Sequence, residues 1–82
     1  MINYANISEC ATKAYYAGNF EEALKLYYKI LANDLKDSTS YYNIALTYES
    51  MNELELAVSY YKKSIRINDK NVRSIDNLAR IY

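Results

Sequence analysis

Small and apolar residues recur along this chain in sets of four. Ile7, Cys10, Ala11 and Ala14 form the first set, Tyr41, Ile44, Ala45 and Tyr48 the second, and Ile75, Leu78, Ala79 and Tyr82 the third. Each set has the spacing i, i+3, i+4, i+7, which places its members on one face of an α-helix. Two further stripes lie between them: Ala23, Leu24, Tyr27, Ile30 and Leu31, then Ala57, Val58, Tyr61, Ser64 and Ile65. The pattern predicts five helices.

The sets are copies of one another at a shift of 34 residues, which pairs Gly18 with Asn52, Phe20 with Leu54, Ala23 with Ala57, Tyr27 with Tyr61 and Lys29 with Lys63. Between the helices of each copy sits a short break, Ala17-Gly18-Asn19 and Met51-Asn52-Glu53. A turn this tight needs a residue with positive φ, and glycine and asparagine accept that most cheaply. This accounts for the only glycine in the chain. Charges agree with the helix directions: Glu21 and Glu22 open one helix, Glu53 and Glu55 open its copy, and Lys62, Lys63 and Arg66 lie toward that copy's end.

A 34-residue helix-turn-helix with W-x2-L-G-x2-Y followed by A-x3-F is the signature of the tetratricopeptide repeat. Here Tyr41, Ile44, Ala45 and Tyr48 read Y-x2-I-A-x2-Y, and Ala57 and Tyr61 read A-x3-Y, so the chain resembles that family from Tyr4 to Tyr82. The resemblance implies an all-α fold: an α-solenoid of antiparallel helix-turn-helix repeats, about five helices in a right-handed superhelical stack. Residues 1–82 would form a single domain, with repeat one at about 4–37, repeat two at about 38–71, and the first helix of a third repeat, or a capping helix, at about 72–82. The family's closing proline is replaced by Leu35 and Asp69, and the chain has no proline. Asn33, Asp34, Asp37 and Ser38, then Asn68, Asp69 and Asn71, must stop the helices through side-chain oxygens. That is a weaker stop, which leaves the helix from Glu21 free to run a turn further.

Composition narrows the work such a chain can do. Ten basic and ten acidic residues balance, so no global field draws it to nucleic acid or an anionic membrane. No apolar run reaches the ~20 residues that span a bilayer, and MINYANISEC lacks the form of a signal peptide. A cytoplasmic location is the expectation. There is no histidine and one cysteine, so the common general bases, metal clusters and Cys/His pairs are missing. We expect no enzyme, no cofactor and no metal. Cys10 occupies the packing position held by Ile44 and Leu78 in the copies and is expected to be a small core residue. The repeated alanines, Ala79 included, are expected where two helices approach closely, and Tyr27, Tyr48 and Tyr61 are expected to pack.

In stacked repeats of the family, the first helices line a concave groove. The positions one step off the packing stripe would then form a partner-binding surface: Ser8, Thr12 and Tyr16, then Tyr42, Asn43 and Leu46, then Arg73, Asn77 and Arg80, flanked by Glu9, Thr39, Ser50 and Asp76. Tyr16, Tyr42 and Leu46 offer apolar contact, Asn43 and Asn77 suit a peptide backbone, and Arg73 and Arg80 suit a carboxylate. Some members grip a C-terminal carboxylate with Lys and Asn, then Asn, then Lys and Arg. At those positions this chain keeps Asn43, has Arg73 for the lysine, and departs at Ser8, Thr12 and Asn77. The expected function is a protein-protein interaction module with a protein or peptide ligand. The alternatives are a structural, self-associating fragment of a longer array and a regulatory or targeting segment of a larger enzyme. Homodimers or higher homo-oligomers are expected through the repeat ends or by exchange of the last helix.

Overall fold

A computed structural model describes residues 4–82 of the chain, with side chains from residue 6 onward. It contains five helices, α1 (Tyr4–Tyr16), α2 (Phe20–Asn33), α3 (Ser38–Ser50), α4 (Leu54–Ile67) and α5 (Val72–Ile81), and no strand among the described residues. Helices consecutive in the chain pack on one another, α1 on α2, α2 on α3, α3 on α4 and α4 on α5. The result is a stack of helical hairpins, elongated at 39 × 25 × 16 Å.

Each helix end is built by the same device as its counterpart 34 residues away. Gly18 has φ +83° and Asn52 has φ +62°. The Gly18 amide donates to the Tyr15 carbonyl and the Asn19 amide to that of Ala14. In the second hairpin Asn52 donates to Glu49 and Glu53 to Tyr48. Both are Schellman closures, which satisfy the last carbonyls of α1 and α3 and require the left-handed residue at this point.

The connections between hairpins show how the chain stops its helices without proline. Oδ1 of Asp34 accepts from the Lys36 amide at 3.0 Å, and Oδ1 of Asn68 accepts from the Lys70 amide at 3.0 Å. Three residues on, Asp37 and Asn71 cap α3 and α5 by accepting from the amides of Ser40 and Ser74. Two Asx residues per connection, one turning the chain and one capping the next helix, do the job. The helix that opens with Phe20 and Glu21 ends at Asn33, at the same register as α4, and runs no further.

The core follows the small-residue stripes. Ala11, Ala23, Tyr27, Ile30, Leu31 and Ile44 form one buried cluster, and Ala45, Ala57 and Tyr61 form a second. Facing alanines let the paired helices approach, and each tyrosine fills the space one turn along. The junction of α3, α4 and α5 is polar instead. Ser38, Ser64 and Ser74 are buried there, with the Ser38 and Ser64 hydroxyls 2.9 Å apart and the Ser74 hydroxyl donating to that of Ser64 at 2.8 Å. The Asn71 amide donates to both Ser38 and Ser64, so the same side chain caps α5 and ties it to α3 and α4.

Two packing expectations are corrected. Cys10 is exposed. Its copy Ile44 is buried in the cluster that α3 shares with α1 and α2, whereas among the described residues no helix covers α1 at Cys10. Ala79 is likewise exposed, because α5 packs on α4 through Ser74, Leu78 and Ile81 and leaves its next face open.

Candidate functional site

The beginnings of α3 and α5 lie side by side, held by the caps Asp37 and Asn71 and by the buried serines beneath them. A cleft of about 370 Å³ opens there, lined by Thr39, Tyr42, Asn68, Lys70, Asn71, Val72 and Arg73. Lys70 and Arg73 are its charged groups and no carboxylate lines it. Tyr42 is half-buried, its ring 6.0 Å from that of Tyr61 and so backed by the core. A planar guanidinium, a lysine, a polar amide and an aromatic wall are suited to an anionic or carboxylate-bearing segment of peptide.

Of the other residues expected at a groove, Asn43 and Leu46 are half-buried on α3, and the Asn43 carbonyl accepts a bond from the Thr47 hydroxyl at 2.7 Å. Asn77 and Arg80 are engaged within the chain. The Asn77 amide donates to the Tyr61 hydroxyl at 3.1 Å, that hydroxyl donates to Oε1 of Glu49 at 2.9 Å, and the Arg80 guanidinium grips Oε2 of Glu49 at 2.5 Å. The Arg80 side chain is 57% exposed, so its pair with Glu49 is a surface contact on one side and a packed one on the other. Glu49 carries no signal in the helical pattern that would have marked it as the hub.

On α1, the Thr12 hydroxyl donates to the Ser8 carbonyl at 3.0 Å and also meets the Tyr27 hydroxyl. Tyr16 is 81% exposed, with its ring edge-on to Tyr15 at 5.2 Å. None of these three lines the Tyr42–Arg73 cleft. A second cleft of about 520 Å³, lined by Gly18, Asn19, Phe20, Glu21, Glu22 and Met51, has the opposite sign of charge.

The sequence reading missed a cluster of four tyrosines. The Tyr60 ring stacks on Tyr48 at 5.6 Å and on Tyr41 at 6.2 Å, while the Tyr28 hydroxyl bonds those of Tyr48 and Tyr60 at 3.0 and 2.9 Å. Lys63 lies over the Tyr60 ring at 4.7 Å. Burial, then the hydroxyl bonds to Tyr48 and Tyr60, holds the Tyr28 phenol well above its ordinary range. Eleven tyrosines in so short a chain were the available signal, but which rings meet depends on rotamers that periodicity does not encode. Among the described residues no group of three or more acidic, cysteine or histidine side chains is placed to hold a metal ion.

The family described as Domain of unknown function (DUF6340) matches residues 9–82, and the chain belongs to that family. It is also similar to the Photosystem I assembly protein Ycf3 of Cyanophora paradoxa, with 34% identity over 68 residues, 79% of this chain and 39% of that protein. The protein of the same name from Rippkaea orientalis matches equally, at 34% over 68 residues. The chain thus spans about two fifths of the length of these relatives, 39%. No helix among the described residues is long and apolar enough to cross a membrane.

Proposed function

We propose that this chain is a protein-protein interaction module of the tetratricopeptide repeat type, with repeats at about 4–37 and 38–71 and a further helix at about 72–82, and that a segment of a partner protein lies along α1, α3 and α5. The observation that carries this reading is the cleft joining Tyr42 of α3 to Arg73 of α5, with Lys70 beside it. Its charge and its aromatic wall favour a segment with a carboxylate, either acidic or C-terminal. Asn43 and Leu46 continue the surface along α3, and Tyr16, Thr12 and Ser8 continue it along α1. The relatives named as assembly proteins support a role in holding another protein, and a non-enzymatic one.

The test is a selection of peptides with free C-termini on the immobilised chain, followed by calorimetry of an enriched peptide. Arg73→Ala together with Asn43→Ala should weaken it by about 1 to 3 kcal/mol, the cost of losing bonds to charged and backbone groups. Lys25→Ala, on the exposed side of α2, should leave it unchanged. A peptide that ignores the first pair and is lost with Lys25→Ala would overturn the reading.

A further inference from the structure

Ser64 is fully buried on α4 and lines no part of the Tyr42–Arg73 cleft, yet both walls of that cleft are bonded to it. On the α3 side its hydroxyl donates to the Ser38 carbonyl at 2.9 Å, and the Ser38 hydroxyl donates to the Ser64 carbonyl at 3.0 Å. On the α5 side it accepts from the Ser74 hydroxyl at 2.8 Å and from the Asn71 side-chain amide at 3.0 Å. Thr39 of the one wall follows Ser38 in the chain, and Arg73 of the other lies between Asn71 and Ser74. The spacing of the two walls thus passes through a single hydroxyl. The preceding junction does without it. One period earlier Ile30 stands at the register of Ser64 and Ser40 at that of Ser74, and the Ser40 hydroxyl turns back to its own cap, Asp37, at 3.0 Å.

Packing at this register therefore needs no hydroxyl, and burying Ser38, Ser64 and Ser74 carries a desolvation cost that only bonding offsets. That bonding is complete, since no buried side-chain nitrogen or oxygen among the described residues lacks a partner. Hydrogen bonds are directional where apolar contact is not, so a satisfied buried network fixes placement more narrowly than Ile30 does in α2. We propose that Ser64 is a positioning residue of the cleft: through Ser38 on one side and Asn71 and Ser74 on the other, it sets Arg73 against Thr39 and Tyr42. This role rests on the reading of the cleft as a binding site, and it adds to that site a residue that no bound peptide touches. Asn71 is the link between the two. Its Oδ1 caps α5 by accepting from the Ser74 amide at 3.2 Å, while its side-chain amide reaches Ser38 and Ser64, so α5 starts in the direction that the network imposes.

The experiment compares the parent chain with Ser64→Ala. Ser64→Cys, which nearly keeps the volume and bonds only weakly, takes its place should the alanine chain not fold. Residual dipolar couplings of the isotope-labelled chains read the direction of α5 against α3 with nothing bound. They should change for Val72 to Ile81, while α1, α2 and α3 keep their directions relative to one another. Calorimetry with the free-C-terminus peptide enriched on the parent chain then reads the site. Ser64→Ala should bind it ~10-fold more weakly, within the range of couplings seen in one bonded network. Ser64→Ala with Arg73→Ala should bind no more weakly than Arg73→Ala alone, because a hydroxyl that acts by placing Arg73 then has nothing to place. Ile30→Val, at the same register of α2, should lower the melting temperature and leave the affinity unchanged. Unchanged couplings in Ser64→Ala would overturn the positioning role even where the peptide binds, and so would losses that simply add in the double variant. A parent chain that enriches no peptide, with couplings that do change, would overturn the binding reading of the cleft and with it the role of Ser64 at a site.

Discussion

The Tyr61 hydroxyl donates to Glu49 from the end of a fully buried ring, across the α3–α4 contact, at 2.9 Å. Burial first, and then this bond to a carboxylate, push the phenol above its ordinary range. Tyr28 is shifted in the same direction. An acid whose pKa is higher in the folded chain than in the unfolded one stabilises the fold below its unfolded pKa. That contribution is lost as pH rises beyond it, because the unfolded state then releases the proton first.

Denaturant melts should therefore show a stability insensitive to these tyrosines up to about pH 9 and falling above about pH 10, the ordinary tyrosine value. Tyr61→Phe should cost about 1 kcal/mol at neutral pH through the lost bond to Glu49. The same variant should flatten the alkaline fall. Identical alkaline slopes for Tyr61→Phe, Tyr28→Phe and the parent chain would show that neither phenol carries the effect.

The helices and their turns were legible because both depend on local rules. The stripe at Tyr41, Ile44, Ala45 and Tyr48 fixes a helical face whatever lies around it, and Gly18 and Asn52 announce positive φ by residue type alone. Burial was legible only where a position and its copy have the same neighbours. Ile44 is buried in the cluster formed with residues of α1 and α2, while Cys10, at the same register, faces outward from a helix packed chiefly on α2. Of the candidate surface, Tyr42 and Arg73 line one cleft. Asn77 and Arg80 suit a peptide ligand by residue type, but a phenol and a carboxylate of other helices, Tyr61 and Glu49, occupy them in turn. Pairings of that kind arise from distances between helices, which a one-dimensional pattern does not contain.

The turn can be tested without disturbing any contact. A Cβ built on Gly18 meets nothing within 4 Å, so a substitution there reports backbone strain alone. Gly18→Val should destabilise by at least ~1 kcal/mol, because a β-branched residue is strained at positive φ. For a domain of this size that is a fall of about 4–8 °C in Tm. Gly18→Asn should cost less, and Asn52→Gly should be neutral or mildly stabilising. A Gly18→Val chain that melts with the parent would contradict the left-handed closure of α1.

The buried serines at the α3–α4–α5 junction make a sharper prediction, because Ser64 stands at the register of Ile30 and replaces an apolar contact with a polar one. Its hydroxyl donates to the Ser38 carbonyl at 2.9 Å and accepts from Ser74 and Asn71 at 2.8 and 3.0 Å. Ser64→Ala removes the acceptor for the buried Ser74 hydroxyl and should cost about 1–3 kcal/mol, the penalty for stranding a polar group away from water. Adding Ser74→Ala removes the stranded group itself. The double variant should then be less destabilised than the sum of the singles, by ~0.5–3 kcal/mol, the range seen for residues in one network. Because Asn71 caps α5 and also donates to Ser64, loss of this network should loosen α5 before the rest. Hydrogen exchange should show the amides of Leu78 to Tyr82 losing protection in Ser64→Ala while those of α1 and α2 keep theirs. Strict additivity of the two substitutions, or a uniform loss of protection along all five helices, would mean that the serines only fill space and do not hold the last helix to the stack.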